Sequence, residues 1–218
     1  MIKTMLKKEL RLCLHPTTPL MLALSTLTLI PNYPYGVMFF YMTLGFFFIA
    51  LTGRENHDVI YSLTLPVSRR DIVRGRLALY ILAELLQLLL AAGMIALHRK
   101  IHGFMPNAAG MDANLALLGE GFLYYGLFHL VFLPSYYKDV NRVGVSFVKS
   151  SAVLLALTIL EIVATYAVPF VRDRLDTPDP RYLPEKAGFV LVCLVLYLLL
   201  TALAAKRAEI RFSRQDIR

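Results

Sequence analysis

The chain has 218 residues, of which 57% are hydrophobic and only 17% are charged. Soluble domains contain about 45–50% apolar and about 25% charged residues, so this composition excludes an ordinary soluble domain. The net charge of +8 does not require a nucleic-acid partner, because basic residues collect on the cytoplasmic side of membrane proteins and near anionic lipid. The sequence therefore predicts an all-α integral membrane protein that is embedded in a lipid bilayer and binds no nucleic acid.

The first segment, residues 1–16, has the pattern of an amphipathic helix. Ile2, Met5, Leu6, Leu10 and Cys13 fall on one helical face, and the basic residues fall on the other. A helix of this kind lies in the membrane surface, packs on a partner, or does both. We interpret it as an interfacial helix.

Six apolar runs follow, and most approach the roughly 20 residues that a helix needs to cross the hydrocarbon core. They are continuous and lack two-residue alternation, which favours helices over a barrel. The first run is short, at 14 residues. The six predicted spans are Thr17–Ile30, Tyr35–Thr52, Leu77–Leu97, Ala113–Pro134, Ser150–Phe170 and Ala187–Ala205.

The distribution of basic residues predicts the orientation of these spans. With the N-terminus inside, the 23 Lys and Arg residues divide 17 to 6 in favour of the cytoplasmic segments. The positive-inside rule therefore places both termini in the cytoplasm. Residues 171–186, which contain three prolines, become a short extracellular element. We expect a multi-pass protein of the cell membrane, and specifically of a bacterial plasma membrane.

The longest predicted cytoplasmic loop, residues 53–76, reads GRENHDVIYSLTLPVSRRDIVRGR. Pro66 breaks the segment, and Ser68 with Asp71 three residues later predicts a capped helix that continues into the third span. The apolar residues between these signals indicate an ordered segment. The alternative is a solvated loop with basic residues that stop the flanking spans.

This loop resembles the cytoplasmic segment of ABC-2 type transporter permeases, most closely the small six-span branch that includes the permeases of phenol-soluble-modulin exporters. The resemblance rests on the run from Ser62 to Val73, in which Thr64 is an extra residue, and on the layout of the whole chain. It implies one transmembrane domain over 1–218, paired with two copies of a separate ABC ATP-binding subunit and with a second permease, identical or homologous. ATP and Mg would be bound by the partner ATPase. This chain would bind no cofactor or metal and would not be an enzyme.

The resemblance also implies that the loop after the second span couples the permease to the ATPase. Charges of both signs suit docking on a soluble partner. The residues implied in ATPase coupling are Arg54, Glu55, Asn56, His57, Asp58, Ser68, Arg69 and Arg70. The implied function is export of a peptide or amphipathic substrate. The alternatives are a non-transporting anchor or sensor subunit of an ABC complex and an integral-membrane enzyme.

Three acidic residues, Glu84, Glu120 and Glu161, fall in or near the third, fourth and fifth predicted spans. An ionisable group in a span is costly and is by default a functional candidate, although helix–helix hydrogen bonding is the alternative role. Glu161 is predicted at mid-span, the best depth for a role in translocation. The three acids are scattered in the sequence, which argues against a membrane enzyme with paired acids.

Two further patterns concern packing. The cysteines, Cys13 and Cys193, are too few for a disulfide framework, and we predict that both are small buried hydrophobic residues. Gly119, Gly121 and Gly126 in the fourth span predict close helix packing, either within the chain or between two permeases.

Overall fold

The computed structural model describes residues 2–178 and 180–214, and no β-strand occurs in these ranges, which confirms the all-helical prediction. The α-helices are α1 (Ile2–Leu12), α2 (Thr18–Ala23), α3 (Val37–Glu55), α4 (Asp58–Leu63), α5 (Arg69–His102), α6 (Leu115–Tyr136), α7 (Val143–Ala167) and α8 (Leu183–Ser213). Two 3₁₀ turns, Leu24–Leu29 and Pro180–Tyr182, and one π-helical turn, Val171–Leu175, complete the described helical structure.

Five of the described helices, α3, α5, α6, α7 and α8, are long and apolar enough to cross a membrane. Each contains most of one predicted span. With 34 residues, α5 is about 51 Å long and extends well beyond a hydrocarbon core of about 30 Å. It begins at the predicted cap and continues without a break into the apolar region, as the sequence indicated.

The first predicted span, Thr17–Ile30, takes a different form. The helix α2 covers six residues and passes directly into the 3₁₀ turn Leu24–Leu29. This apolar segment, Thr18–Leu29, is too short to count with the five long helices. A ring nitrogen of His98 lies 2.7 Å from the carbonyl oxygen of Thr28, so the end of the segment is held against α5.

The core is built around α6. Its most apolar 18-residue stretch is 61% buried, against 22% for α7 and for α8. Gly119 and Gly126 let α8 approach closely, because a Cβ added at either would lie 3.2 Å from a backbone Cα of α8. A Cβ at Gly121 would meet the ring of Phe39 on α3 at 2.6 Å. These three glycines therefore serve packing within the chain.

The helical body has two distinct ends. At one of them, here called the basic end, α1, α4, the beginning of α5, the α6–α7 junction and the end of α8 meet. The side-chain amide of Asn56 donates to the carbonyl oxygen of Leu12 at 2.6 Å. The guanidinium of Arg69 donates to the carbonyl oxygen of Phe212, also at 2.6 Å. The basic end thus brings both terminal helices to the predicted coupling loop.

The opposite end is formed by residues 30–36, 103–114, 168–178 and 180–182. The side chain of Asn114 caps α6 through the backbone N–H of Ala116 and donates to the carbonyl oxygen of Leu175 at 2.7 Å. The predicted element 171–186 is shorter in the structure, because α8 begins at Leu183.

Candidate functional site

The predicted coupling residues 54–57 are all exposed; two of them end α3 and the other two join α3 to α4. We call them the exposed turn 54–57. His57 has a left-handed backbone with φ of +49°, which reverses the chain direction after α3 ends. Arg54, Glu55 and Asn56 are also exposed, and Nη1 of Arg54 reaches the carbonyl oxygen of Asn141 at 3.4 Å. Charges of both signs therefore lie on the surface of the basic end.

The second group of coupling residues surrounds the start of α5. The Ser68 side chain accepts a hydrogen bond from the backbone of Asp71, and the Asp71 carboxylate accepts one from the backbone of Ser68, which confirms the predicted capping box. Arg69 is tied to the end of α8, and its guanidinium also lies 5.4 Å from the ring centre of Phe212. Arg70 is exposed.

The remaining coupling residue, Asp58, is buried, with 1% of its surface exposed. Its Oδ2 accepts a hydrogen bond from Nη2 of Arg76 at 2.7 Å. Arg76, equally buried, also donates from Nε to Oε2 of Glu9 at 2.5 Å. One guanidinium therefore connects α1, α4 and α5. Buried charges are tolerated when they are paired and hydrogen-bonded in this way.

Two further side chains complete this buried charge cluster, which we define as Lys8, Glu9, Cys13, Asp58 and Arg76. Nζ of Lys8 lies 2.7 Å from Glu9 and 3.2 Å from Asp58. Burial by itself would raise the pKa of Asp58, but the charges of Arg76 and Lys8 outweigh burial and hold that pKa below its usual range. Asp58 therefore stays ionised at neutral pH.

Cys13 lies inside the same cluster. Its Sγ is 3.2 Å from Nη2 of Arg76 and 3.4 Å from Oδ2 of Asp58. Burial raises the pKa of the Cys13 thiol far above its ordinary value, although Arg76 opposes the shift, so the thiol stays protonated. Potential ligand atoms of Glu9, Cys13 and Asp58 lie within 4.8 Å of one another. Because two cations already neutralise them, the arrangement is an ion-pair cluster rather than a cation site.

The cluster needs a glycine on α3. A Cβ added to Gly53 would lie 2.8 Å from Nη2 of Arg76 and 2.9 Å from Oδ1 of Asp58. On α5, Gly75 fills the same role for α1, since its added Cβ would lie 2.8 Å from Cβ of Met5. Both glycines let charged and backbone groups approach more closely than any other residue would allow.

The sequence reading missed most of this cluster. Arg76 looked like one of several basic residues that flank a span, and Glu9 lies among lysines. The available signal was helical spacing: Met5, Glu9 and Cys13 follow one another at four-residue intervals. Met5 and Glu9 are buried on α1, and Cys13 is buried directly after its end. By contrast, Leu10 was assigned to the apolar face and is 39% exposed.

Two apolar residues of α4 lie on the surface, which was not predicted from the sequence. Ile60 and Tyr61 are 50% and 51% exposed and lie next to the charged turn 54–57. An exposed apolar pair rimmed by charges of both signs is the composition of a docking surface.

The intramembrane candidate Glu84 belongs to a second buried network, in the centre of the helix bundle. Its Oε2 accepts a hydrogen bond from the hydroxyl of Tyr197 at 2.7 Å, and its Oε1 lies 2.8 Å from Nε2 of His129. Nδ1 of His129 is 3.0 Å from Oγ1 of Thr201. Helices α5, α6 and α8 are therefore joined through one carboxylate and one imidazole.

Glu120 and Glu161, which the sequence separates, come together at a third site. Their side chains interact with each other, and both approach Gly36: a Cβ there would lie 3.2 Å from Oε2 of Glu161 and 3.7 Å from Oε2 of Glu120. The hydroxyl of Tyr124 lies 2.6 Å from Oγ1 of Thr158 and 3.5 Å from Glu161.

This site bears on two expectations. The acids are not all scattered, because the fold brings Glu120 close to Glu161. The helix α7 runs from Val143 to Ala167, so it begins seven residues before the predicted span and Glu161 lies six residues from its end. The mid-span position of Glu161 stays a prediction.

Comparison with known proteins connects this architecture to a family. A family model described as ABC-2 family transporter protein matches residues 4–206. The chain belongs to the ABC-2 transporter family. No curated protein and no solved structure gives a match.

The matched residues of this ABC-2 protein include all three buried networks. Family membership, together with the five long apolar helices, establishes a multi-pass membrane component of a transporter. It confirms the permease prediction at the level of the family.

Proposed function

We propose that this ABC-2 protein is the permease subunit of an exporter, similar to the small six-span branch, whose energy comes from ATP hydrolysed by separate ATP-binding subunits. Two ATPase copies and a second permease, identical or homologous, would complete the complex. The exported substrate would be a peptide or another amphipathic molecule.

The observation that carries the proposal is the buried charge cluster. It fastens the exposed turn 54–57 and α4 to the 34-residue helix α5 through the 2.7 Å contact between Asp58 and Arg76. A force applied to the exposed surface therefore acts on a helix that is long enough to reach the opposite end. In this arrangement Asp58 anchors the coupling segment, and Arg54, Glu55, Asn56 and His57 face the partner.

The mechanism follows from this connection between the exposed turn 54–57 and α5. ATP binding closes the two ATPase subunits, and the docked α4 moves with them. Because α1, α4 and α5 share one ion-pair cluster, they move as a unit and shift the helix bundle between two states. The ATPase needs only to favour one of those states for access to alternate.

The path of the first apolar segment supports six crossings and a common side for both termini. Cys13 contacts Arg76, and Thr28 contacts His98, at points on α5 that are about 33 Å apart at 1.5 Å per residue. The chain thus traverses the body between residues 13 and 28 in spite of its short helix.

We place the basic end in the cytoplasm of a bacterial cell.

The alternatives differ in their support. An anchor or sensor subunit would use the same docking surface but would move no substrate, so measured efflux distinguishes it. The paired glutamates meet one criterion of a membrane enzyme, but the family match favours transport.

The decisive experiment is co-purification of the tagged chain from its native membrane, followed by identification of the bound ATP-binding protein. Replacing Ile60 with Asp puts a charge into the docking surface, and we expect the ATPase to be lost from the complex. Met105→Asp is the matched control, because Met105 is 52% exposed at the opposite end. Equal ATPase recovery with both variants would refute the docking surface.

A further inference from the structure

A basic groove lies on the outside of the helix bundle, between the beginning of α5 and the end of α8. It has a volume of about 1010 Å³. Four basic side chains line it, Arg69, Arg70, Arg74 and Lys206, together with one acidic side chain, Glu209. The groove therefore carries a surplus of positive charge at the border of the apolar region.

The one carboxylate that lines the groove, Glu209, interacts with two of these side chains. Glu209 pairs with Nε of Arg74 at 2.8 Å and lies 3.9 Å from Nε of Arg70, whose side chain is 75% exposed. Lys206 is exposed and has no ionic partner among residues 2–178 and 180–214. Arg70 and Lys206 are therefore available to an anion.

Apolar side chains line part of the groove and continue beyond it. Ala202, Ala205 and Ile210 line it between the charged groups. Beyond it, toward the middle of the helices, α8 exposes Leu199 and Leu203, and α5 exposes a row of leucines. A molecule seated here would meet cations at one end and a membrane-facing apolar surface at the other.

We propose that this groove binds an anionic phospholipid, with its phosphate between Arg70 and Lys206 and its acyl chains along α5 and α8. Basic residues at the end of a span attract anionic headgroups. The apolar continuation favours a lipid over an acidic protein segment or free phosphate, since neither of these would use the leucine surface. The proposal requires only the membrane location and is independent of the ATPase partner.

The test is binding of a fluorescent phosphatidylglycerol to the full-length chain in detergent, with phosphatidylcholine as the neutral comparison. We expect Arg70→Gln with Lys206→Gln to weaken phosphatidylglycerol binding by about tenfold or more, because each cation near the headgroup contributes to its attraction. Ala202→Trp fills the groove without a change of charge, and we expect it to block binding as well.

The matched control is Lys138→Gln with Lys149→Gln. It removes two exposed cations that do not line the groove. Loss of binding only in the groove variants would support the proposal. An equal loss in the control, no preference for phosphatidylglycerol over phosphatidylcholine, or displacement of the lipid by inorganic phosphate would overturn it.

Discussion

Arg76 shows how one residue can organise a whole end of this protein. Its guanidinium is 1% exposed and contacts carboxylates from two other helices. A buried ion pair is not by itself a strong source of stability, because removing charges from water offsets much of their attraction. Removing one member of the pair lowers stability strongly, because the charges of its partners then stay buried without compensation. The specificity of the α1–α4–α5 arrangement therefore depends on the full set of charges.

Replacing Arg76 with Met tests this dependence. We expect the free energy of unfolding to fall by about 3–5 kcal/mol, because Glu9 and Asp58 lose their main partner. The measurement is thermal or denaturant unfolding of the purified chain in detergent. Arg70→Met, at an exposed and loosely paired site, is expected to change stability by about 0–1 kcal/mol.

A triple variant separates charge from shape. Glu9→Gln, Asp58→Asn and Arg76→Met together remove Arg76 and both carboxylates that it pairs with. Lys8 keeps its charge, but its side chain is the most exposed of the cluster's charged groups at 9%, so we expect part of the lost stability to return. A triple variant as unstable as Arg76→Met alone would show that packing, rather than uncompensated charge, sets the cost.

At the scale of elements, α7 and the segments of the opposite end form a second buried polar region. Helix α7 supplies Glu161, and the loop before α6 covers it: a Cβ on Gly110 would lie 3.6 Å from Oε1 of Glu161. Asp176, in the turn after the π-helical segment, accepts a hydrogen bond from the backbone N–H of Asp112 at 2.7 Å. Carboxyl groups from several elements are therefore packed together at this end.

Neutralising Glu161 tests whether this site serves transport. We expect Glu161→Gln to reduce export by about ten- to a hundredfold, the effect of losing a charged hydrogen bond worth about 1.5–3 kcal/mol, while the complex still assembles. The measurement is substrate efflux from cells, with complex recovery as the control. Normal efflux by this variant would remove Glu161 from the mechanism.

The acidic cluster also predicts a pH dependence. Burial, reinforced by the nearby Asp112 carboxylate, raises the pKa of Asp176 to about 7. The folded state thus holds a proton that an unfolded chain releases near its ordinary pKa of about 3.9. This contribution to stability is complete below that value and is lost as the pH rises through about 7.

We expect the unfolding temperature of the wild type to fall between pH 5 and pH 8. We expect Asp176→Asn to reduce this fall, because the variant lacks the carboxyl group whose pKa is raised. Asp173→Asn is the control, because Asp173 is exposed on the neighbouring π-helical turn and pairs with Arg172. A wild-type profile that is flat over this range would contradict the prediction.

At the scale of the whole molecule, the two ends and the crossings between them decide the topology. The basic end holds α1, the coupling segment and the end of α8, and this grouping agrees with the bias of Lys and Arg toward the predicted cytoplasmic segments. Both native cysteines are buried and free, so they leave the surface open to labelling at introduced sites.

Introduced cysteines test the orientation. Thr64→Cys, at an exposed position of the basic end, is expected to react with a membrane-impermeant maleimide only after the cell membrane is opened. Met105→Cys, at the opposite end, is expected to react in intact cells. The reverse pattern would refute the cytoplasmic assignment and with it the proposed ATPase contact.

Much of this architecture follows from the sequence alone. Continuous apolar runs of about 20 residues are stable only as helices across a bilayer, and Ser68 with Asp71 fixes where α5 begins, because capping is local chemistry. The ordered character of residues 53–76 was predicted in the same way, since Pro66, the cap and the neighbouring apolar residues lie close together in the chain. The exposed turn 54–57 was therefore within reach of sequence reasoning.

The tertiary structure alone decided which charges meet. Glu9, Asp58 and Arg76 are far apart in the chain, as are Glu120 and Glu161, and helical periodicity says which face a residue occupies but not which helix lies opposite. That choice depends on glycines such as Gly53 and Gly36, whose missing side chains leave room for charged groups. The sequence thus determined the helices and their local ends, whereas packing between distant segments created the buried networks.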